Sequence, residues 1–406
     1  MHPNDLLKMT QRRAFLRQSA SLLGGGLIAS QAPFSFADTL KNTDEVRIGY
    51  LPIMDATALL IAHANGLFEQ EGLKVAQPMM VKSWPKLIQG FLAGKFNVVH
   101  LLKPIPVWLR YNHNFPIKIM SWAHINGSAI VTGKHINATK FEDLAGKQVA
   151  VPYWYSMHNI VLQMSLRHAG LKPVIKPAYE KLAANEVNLR VLPPPLMVWA
   201  LKAQNIDAYI VAEPINAKGE LLAGAKLLRF TGDIWRNHPC CVVCMDERVT
   251  QQKPEWTQKV MNAIIKAQAF AQQNKLETAK ILSVDGEAYI PANQKILKHS
   301  IMSYGDDYQL TDAIKHPTWD SGRIDFAPWP YPSATRTLIK HFSTTLFGTE
   351  GMADTGFIEQ LDADFVVDDL VDYQFVDEAM KVCHGWKKAP GIDLNNPFER
   401  EEVIDI

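Results

Sequence analysis

The chain has 406 residues, with 42 Lys and Arg against 41 Asp and Glu and a formal net charge of +1. No dense block of either sign occurs, so nucleic acid is not expected as a partner, because phosphate neutralisation needs a clustered positive surface. The four cysteines are too few for a disulfide scaffold in a chain this long, and three of them, Cys240, Cys241 and Cys244, crowd one run.

Residues 1–37 read as an export leader, with Arg12 and Arg13 in TQRRAFLRQ, the apolar centre ASLLGGGLIAS and a small-residue cleavage site ending at Ala37. The arginine pair followed by Ala14, Phe15 and Leu16 resembles a twin-arginine signal, the type that exports folded proteins. Its apolar centre is shorter than the roughly 20 residues a membrane span takes. No cysteine at the cleavage site predicts a lipid anchor, and no later segment reads as a membrane helix. A soluble, monomeric periplasmic protein is therefore expected.

Next comes a βαβ unit: a strand at Val46 to Tyr50, a helix from near Asp55 to Gly66, and a strand around Leu73 to Val75. Ser83 is positioned to cap a helix with Pro85 in its first turn. That helix leads into FLAGKFNVVHLLKP, residues 91–104, where a polar turn residue precedes a short apolar run and a proline stop. LKAQNIDAYIVAEP, residues 201–214, repeats this pattern, and VAVP at 149–152 repeats IGYLP at 48–52. The doubling predicts two α/β lobes, each a mainly parallel sheet flanked by helices, with a ligand cleft between them. Lobe I is expected over 44–126 plus 245–406 and lobe II over 127–244. Beyond Glu255 the spacing turns helical, residues 320–336 read as an ordered loop before another helix, and the acidic tail after Pro397 is expected to fray.

IGYLPIMDATALLIAHANGLFEQEGLKV, SWPKLIQGFLAGKFNVVHLLKP, HINGSAIVTG, VLPPPLMVWALKAQNIDAYIVAEP and GDIWRNHPC together resemble the solute-binding proteins of ABC importers for nitrate, bicarbonate, sulfonates and taurine. The nitrate and bicarbonate branch is the nearest. The resemblance implies a type II periplasmic-binding fold that closes on a small anion or small organic solute. It also implies partners, an inner-membrane permease and its ATPase, with no catalysis and no cofactor. Fungal thiamine-pyrimidine synthases share the wider superfamily, so an enzyme is one alternative and an exported sensor another.

By motif, the resemblance places the solute against Trp84, the turn Asn126, Gly127 and Ser128, His158, Ala212 and Cys241. The branch has a lysine where this chain has Cys241, which argues against nitrate itself, since a thiol does not neutralise an anion. Physical reasoning supports His158, which lies in the first turn of a helix capped by Ser156, where free N–H groups favour an accepting ligand. Tyr153, Trp154 and Tyr155 leave a strand end, the place where ligands meet open α/β sheets, and Tyr153 is taken as the wall residue. Glu213 and Lys103 occupy equivalent positions before their prolines, and each either holds charge at the cleft or joins a structural ion pair. In a strand, Cys240 and Cys244 would face one side and Cys241 the other. With His238 these thiols could hold zinc or iron, but metal sites usually draw ligands from two separate pieces of chain, so packed thiols and no metal are expected.

Overall fold

A computed structural model of the chain describes residues 44–348, 355–383 and 399–406; the leader read at 1–37 lies outside them. Lobe I starts with β1 (Ile48–Tyr50), a 3-10 turn at Met54–Ala56 and helix α1 (Thr57–Ala64). Gly66 ends this segment at φ 61°, a conformation that glycine adopts without a Cβ penalty. Then come β2 (Met79–Met80), α2 (Trp84–Leu92), β3 (Val98–Leu102) and β4 (Ile117–Trp122). The strand expected near Leu73 forms at Lys74–Val75 but pairs with Glu45–Val46 in a separate ribbon, leaving Met79–Met80 beside β1.

Lobe II holds β5 (Ser128–Thr132), β6 (Gln148–Val151), α3 (Met157–His168), β7 (Lys172–Val174), β8 (Glu186–Val191), α4 (Pro194–Lys202), β9 (Ala208–Ala212) and β10 (Lys226–Phe230). β11 (Cys241–Asp246) then returns to the first sheet, ahead of the boundary expected at 244, and α5 (Pro254–Gln273) packs on α1. The first sheet runs β2-β1-β3-β11-β4 and the second β7-β8-β6-β9-β5-β10. Pairs built by βα crossovers are parallel, whereas β11 is antiparallel to β3 and β4, and β5 to β9 and β10. The antiparallel members include the two strands, β5 and β11, on which the chain enters a lobe from the other one.

The two copies of the sequence pattern become β3 and β9, both wholly buried central strands, which explains why each reads as an unbroken apolar run. Lobe I is closely packed around Phe96: a Cβ built on Gly49 or Gly90 would lie 2.4 Å or 2.3 Å from its ring. Gly49→Ala is expected to cost about 1–3 kcal/mol through overpacking. Urea unfolding measures this, and an unshifted midpoint would contradict the packing described.

The C-terminal residues do not fray as expected. Arg236 N donates to Val403 O at 2.9 Å, Asp405 N to Ile234 O at 2.8 Å, and the Trp235 indole to Glu402 at 2.6 Å. Main-chain pairing and a buried indole hold residues 402–405 on the segment that leads into β11. Among the described residues, no helix is long and apolar enough to cross a membrane.

Candidate functional site

β1 delivers the chain into the 3-10 turn at Met54–Ala56, where Asp55 is fully buried. Its Oδ2 accepts from the Cys241 thiol at 3.0 Å, lies 3.2 Å from His124 Nε2, and lies 3.8 Å from Cys240 Sγ. His124 follows β4, Cys241 opens β11 and Cys240 immediately precedes it, so three distant parts of the chain converge here. From lobe II, Ser128 at the start of β5 sits 2.9 Å from His158 Nε2 and 3.8 Å from Cys240 Sγ. His158 Nε2 is itself 3.8 Å from Cys240 Sγ. Groups from both lobes thus meet in one buried cluster, and the backbone joins them nearby, with Met54 N donating to Glu213 O at 2.8 Å.

Cys240 and Cys241 contribute to the same cluster, contrary to the strand-alternation expectation. Cys240 precedes the first residue of β11 and escapes the two-residue period, while Cys244, inside the strand, points its thiol at Val242 O. His238 stays out of the cluster, bonding Thr231 Oγ1 at 2.8 Å, and burial pulls its pKa down to about 4. His124 is also buried, but Asp55 outweighs that penalty and lifts it to about 10. Burial works against a Cys240 thiolate, yet hydrogen bonding from Cys241, the charge of His158 and hydrogen bonding from His124 bring its pKa well below the ordinary thiol value. Cys241 moves up through burial and through its neighbours Cys240 and Asp55.

α3 is capped as expected: Asn159 N donates to Ser156 Oγ at 3.0 Å, which seats His158 in the first turn. Ser83 occupies the cap position of α2 but makes no capping bond. Asn126 and Gly127 form a left-handed turn at φ 56° and 80°, and the Asn126 amide donates to Ser321 O at 2.6 Å, tying the turn to the 320–336 segment, while its buried Oδ1 has no hydrogen-bond partner. Ala212 pairs in register with Ser128, placing it at the edge of the cluster. Trp84 is buried one contact away, its indole edge-on to His100 at 5.5 Å between centroids.

Glu213 takes the ion-pair role of the two considered. Arg323 Nε donates to its Oε1 at 2.7 Å and Ala217 N to its Oε2 at 3.1 Å, committing both oxygens. Lys103 donates its backbone N–H to Cys240 O at 2.9 Å, but its buried Nζ has no hydrogen-bond partner and lies 5.4 Å from the centre of the Trp122 ring, and burial brings its pKa down to about 7. Tyr153 is buried beside the cap, its carbonyl accepting from Ser156 Oγ at 2.7 Å. Tyr155 turns outward from this region to stack between Trp108 and Phe347, with centroids 5.4 and 4.7 Å away. An apolar cleft of about 560 Å³ runs along the seam between the lobes, bounded by Leu51 to Ile53 on one side and by Pro194, Trp199 and Ile215 on the other. The cluster residues do not line it; they are themselves buried, at 0–2% relative exposure.

Two mixed α/β lobes joined by crossing strands, with polar groups from both sealed at the seam, define a two-lobed binding-protein fold. The model of the NMT1-like family matches residues 40–283, and the chain belongs to that family. It is 26% identical over 332 residues to the nitrate/nitrite binding protein NrtA of Nostoc sp., covering 75% of this chain and 72% of that one. It is 24% identical over 274 residues to the nitrate import ATP-binding protein NrtC of Synechocystis sp., covering 64% of this chain but only 38% of that longer protein. The crystal structure of the periplasmic nitrate-binding protein NrtA from Synechocystis shares the fold, with a TM-score of 0.67 at 18% identity, covering 88% of this chain and 97% of that one.

Sequence reasoning placed Asp55 at a helix start and quoted His124 inside HINGSAIVTG, but did not join either to the cysteines. The link is purely tertiary, Asp55 and Cys241 being 186 positions apart in the chain.

Proposed function

We propose that this chain is the periplasmic solute-binding component of an ABC importer, closing its lobes on a small anion or small organic solute and presenting it to an inner-membrane permease driven by an ATPase. The observation that carries this reading is the meeting of lobe I and lobe II groups, Asp55 and Cys240 with Ser128 and His158, in one buried cluster. Hinged closure around a ligand is how two-lobed proteins bury a solute that must later be released. The relatives named as a nitrate/nitrite binding protein and a nitrate import ATP-binding protein support the assembly. The leader at residues 1–37 supports export.

The local charge favours a solute other than nitrate. Cys241 stands where the resembling branch has lysine, and its thiol donates to the Asp55 carboxylate, leaving no ammonium there to meet an anion. A thermal-shift panel of nitrate, nitrite, bicarbonate, alkanesulfonates, short carboxylates and pyrimidines tests the reading. A true solute at a hundred times its Kd stabilises the folded chain by about 2.7 kcal/mol. No stabilisation by any member would sink it. For the best solute, His158→Gln is expected to weaken binding roughly 10- to 100-fold, the worth of a hydrogen bond to a charged or strongly polar group. Isothermal calorimetry reads this directly.

A further inference from the structure

We propose that Asp55, His124, Cys240 and Cys241 form a binding site for one thiophilic divalent metal ion, with Zn²⁺ as the type. One donor atom from each residue lies within 4.8 Å of all the others, and all four residues are buried. A four-coordinate zinc has bonds of about 2.3 Å to sulfur and about 2.0–2.1 Å to nitrogen or oxygen, which sets its donors roughly 3.3–3.8 Å apart. Asp55 Oδ2 lies 3.0 Å from Cys241 Sγ, 3.2 Å from His124 Nε2 and 3.8 Å from Cys240 Sγ. Two of those separations are a few tenths of an ångström shorter than the edges of such a tetrahedron and the third matches its longest edge, so a small parting of the donors admits the ion.

The hydrogen bonding points the same way. Three neighbours crowd Asp55 Oδ2, while Oδ1 of the same carboxylate has no partner. His124 Nε2 faces that oxygen at 3.2 Å and the Cys241 backbone N–H at 3.3 Å, and a single ring nitrogen cannot donate to one while accepting from the other. Without metal, a proton on Nε2 lies between the ring and the carboxylate; a cation takes that proton's place, using a lone pair from each and releasing the proton to solvent. Two thiols, an imidazole and a carboxylate are a soft to borderline donor set, suited to zinc rather than to calcium or magnesium. The structure also removes the reason for reading the cysteines as inert. PCCVVC alone is one piece of chain, but Asp55 and His124 supply ligands from two others, the arrangement that structural metal sites use. Metal binding replaces each ionising S–H bond by a sulfur–metal bond and releases that proton to solvent.

The inference goes beyond the importer reading and does not depend on the solute. To test it, the purified full chain is stripped with a chelator and titrated with Zn²⁺ alone against a chromophoric competitor, then with Co²⁺ alone. The expected result is uptake of about one ion per chain and, with Co²⁺, the thiolate charge-transfer absorption of a tetrahedral site. Cys240→Ser and Cys241→Ser should each weaken Zn²⁺ binding by roughly 100-fold or more, since even outer partners of a metal site are worth 10- to 100-fold. Asp55→Asn, close in shape and independent of any folding failure in the cysteine variants, should weaken it at least about tenfold. Cys244→Ser and Cys383→Ser should leave it unchanged. Failure to take up Zn²⁺ stoichiometrically, uptake that survives the Cys240→Ser/Cys241→Ser double substitution, or uptake that is lost with Cys244 would each overturn the site. Running the solute panel in chelator separates the two readings. A solute bound by stripped protein that takes up no Zn²⁺ sinks the metal site alone, whereas Zn²⁺ uptake without any stabilising solute supports the metal site and sinks the importer reading.

Discussion

Replacing Arg323 by methionine is expected to lower folding stability by about 3–5 kcal/mol, the cost of stripping one partner from a buried ion pair. Arg323 is fully buried at the start of the short strand Ile324–Asp325, which pairs with Ile125–Asn126 where the chain crosses between lobes. Its guanidinium donates to Glu213 at 2.7 Å, to Glu220 at 2.6 Å and to the Tyr308 hydroxyl at 2.9 Å. Methionine fills much of the volume but leaves the Glu213 carboxylate facing an apolar interior with one backbone donor. Burial already pushes the Glu213 carboxyl up against the pull of Arg323, so without the guanidinium it takes up a proton. Urea unfolding at neutral pH reads the loss, and a change under about 1 kcal/mol would mean that the network contributes nothing beyond packing. Adding Glu213→Gln to Arg323→Met should restore part of the stability, because it removes the cost of protonating a buried carboxylate at neutral pH.

The pH dependence of this network follows from opposite shifts. Glu220 is held below its ordinary value: burial raises it, but His299, Arg323 and Tyr308 together outweigh that. Its stabilisation is present above the unfolded value, near 4.3, and is lost as pH falls through the folded one. Glu213, with its folded pKa raised, works in the other sense, stabilising at low pH and losing that contribution as pH rises. The two slopes oppose each other in the native chain. In Arg323→Met the depressing influence on both carboxyls is removed, so stability should fall more steeply between pH 4 and 7 than in the native protein. Unfolding midpoints across that range decide the sign.

What the sequence made legible is what depends on local period. β3 and β9 were readable because a buried strand has no polar face to dilute its apolar run, and each is bracketed by a polar turn and a proline. Ser156 was readable as a cap because capping acts over three residues, although Ser83, with the same local credentials, makes no such bond. The cluster was only half legible. His158 and Ser128 came from motif resemblance, but Cys240 was assigned by strand alternation, a rule that stops at the strand's first residue. Asp55 was marked only as a helix start and His124 only as part of a motif, and nothing local tied either to the cysteines, since that link is made across the fold. Arg323 was hidden for the same reason: nothing in the aromatic loop 320–336 says that its partner lies 110 residues upstream.

Trp84→Ala is expected to cost about 3–5 kcal/mol, the range for emptying a fully buried aromatic site, and to impair solute binding by unfolding the lobe. Trp84 opens α2 with a relative exposure of 1% and packs edge-on against His100. Burial drives the His100 pKa to about 3, so the ring is neutral, and its Nε2 accepts from Leu51 N at 3.0 Å. Leu51 opens the run that turns into Asp55. The indole therefore acts by holding His100, and through it the turn that presents Asp55, so its contribution is positional. Trp84→Phe separates this role from direct contact with solute. The Trp84 indole N–H has no hydrogen-bond partner, so phenylalanine sacrifices only volume, at about 1 kcal/mol for a cavity of some tens of Å³. Affinity for the best solute should then stay within about threefold, because less than 0.7 kcal/mol of the change is expected to reach the site. A tenfold or greater loss of affinity in Trp84→Phe, with the melting temperature nearly unchanged, would place the indole against the solute itself and refute the positional role.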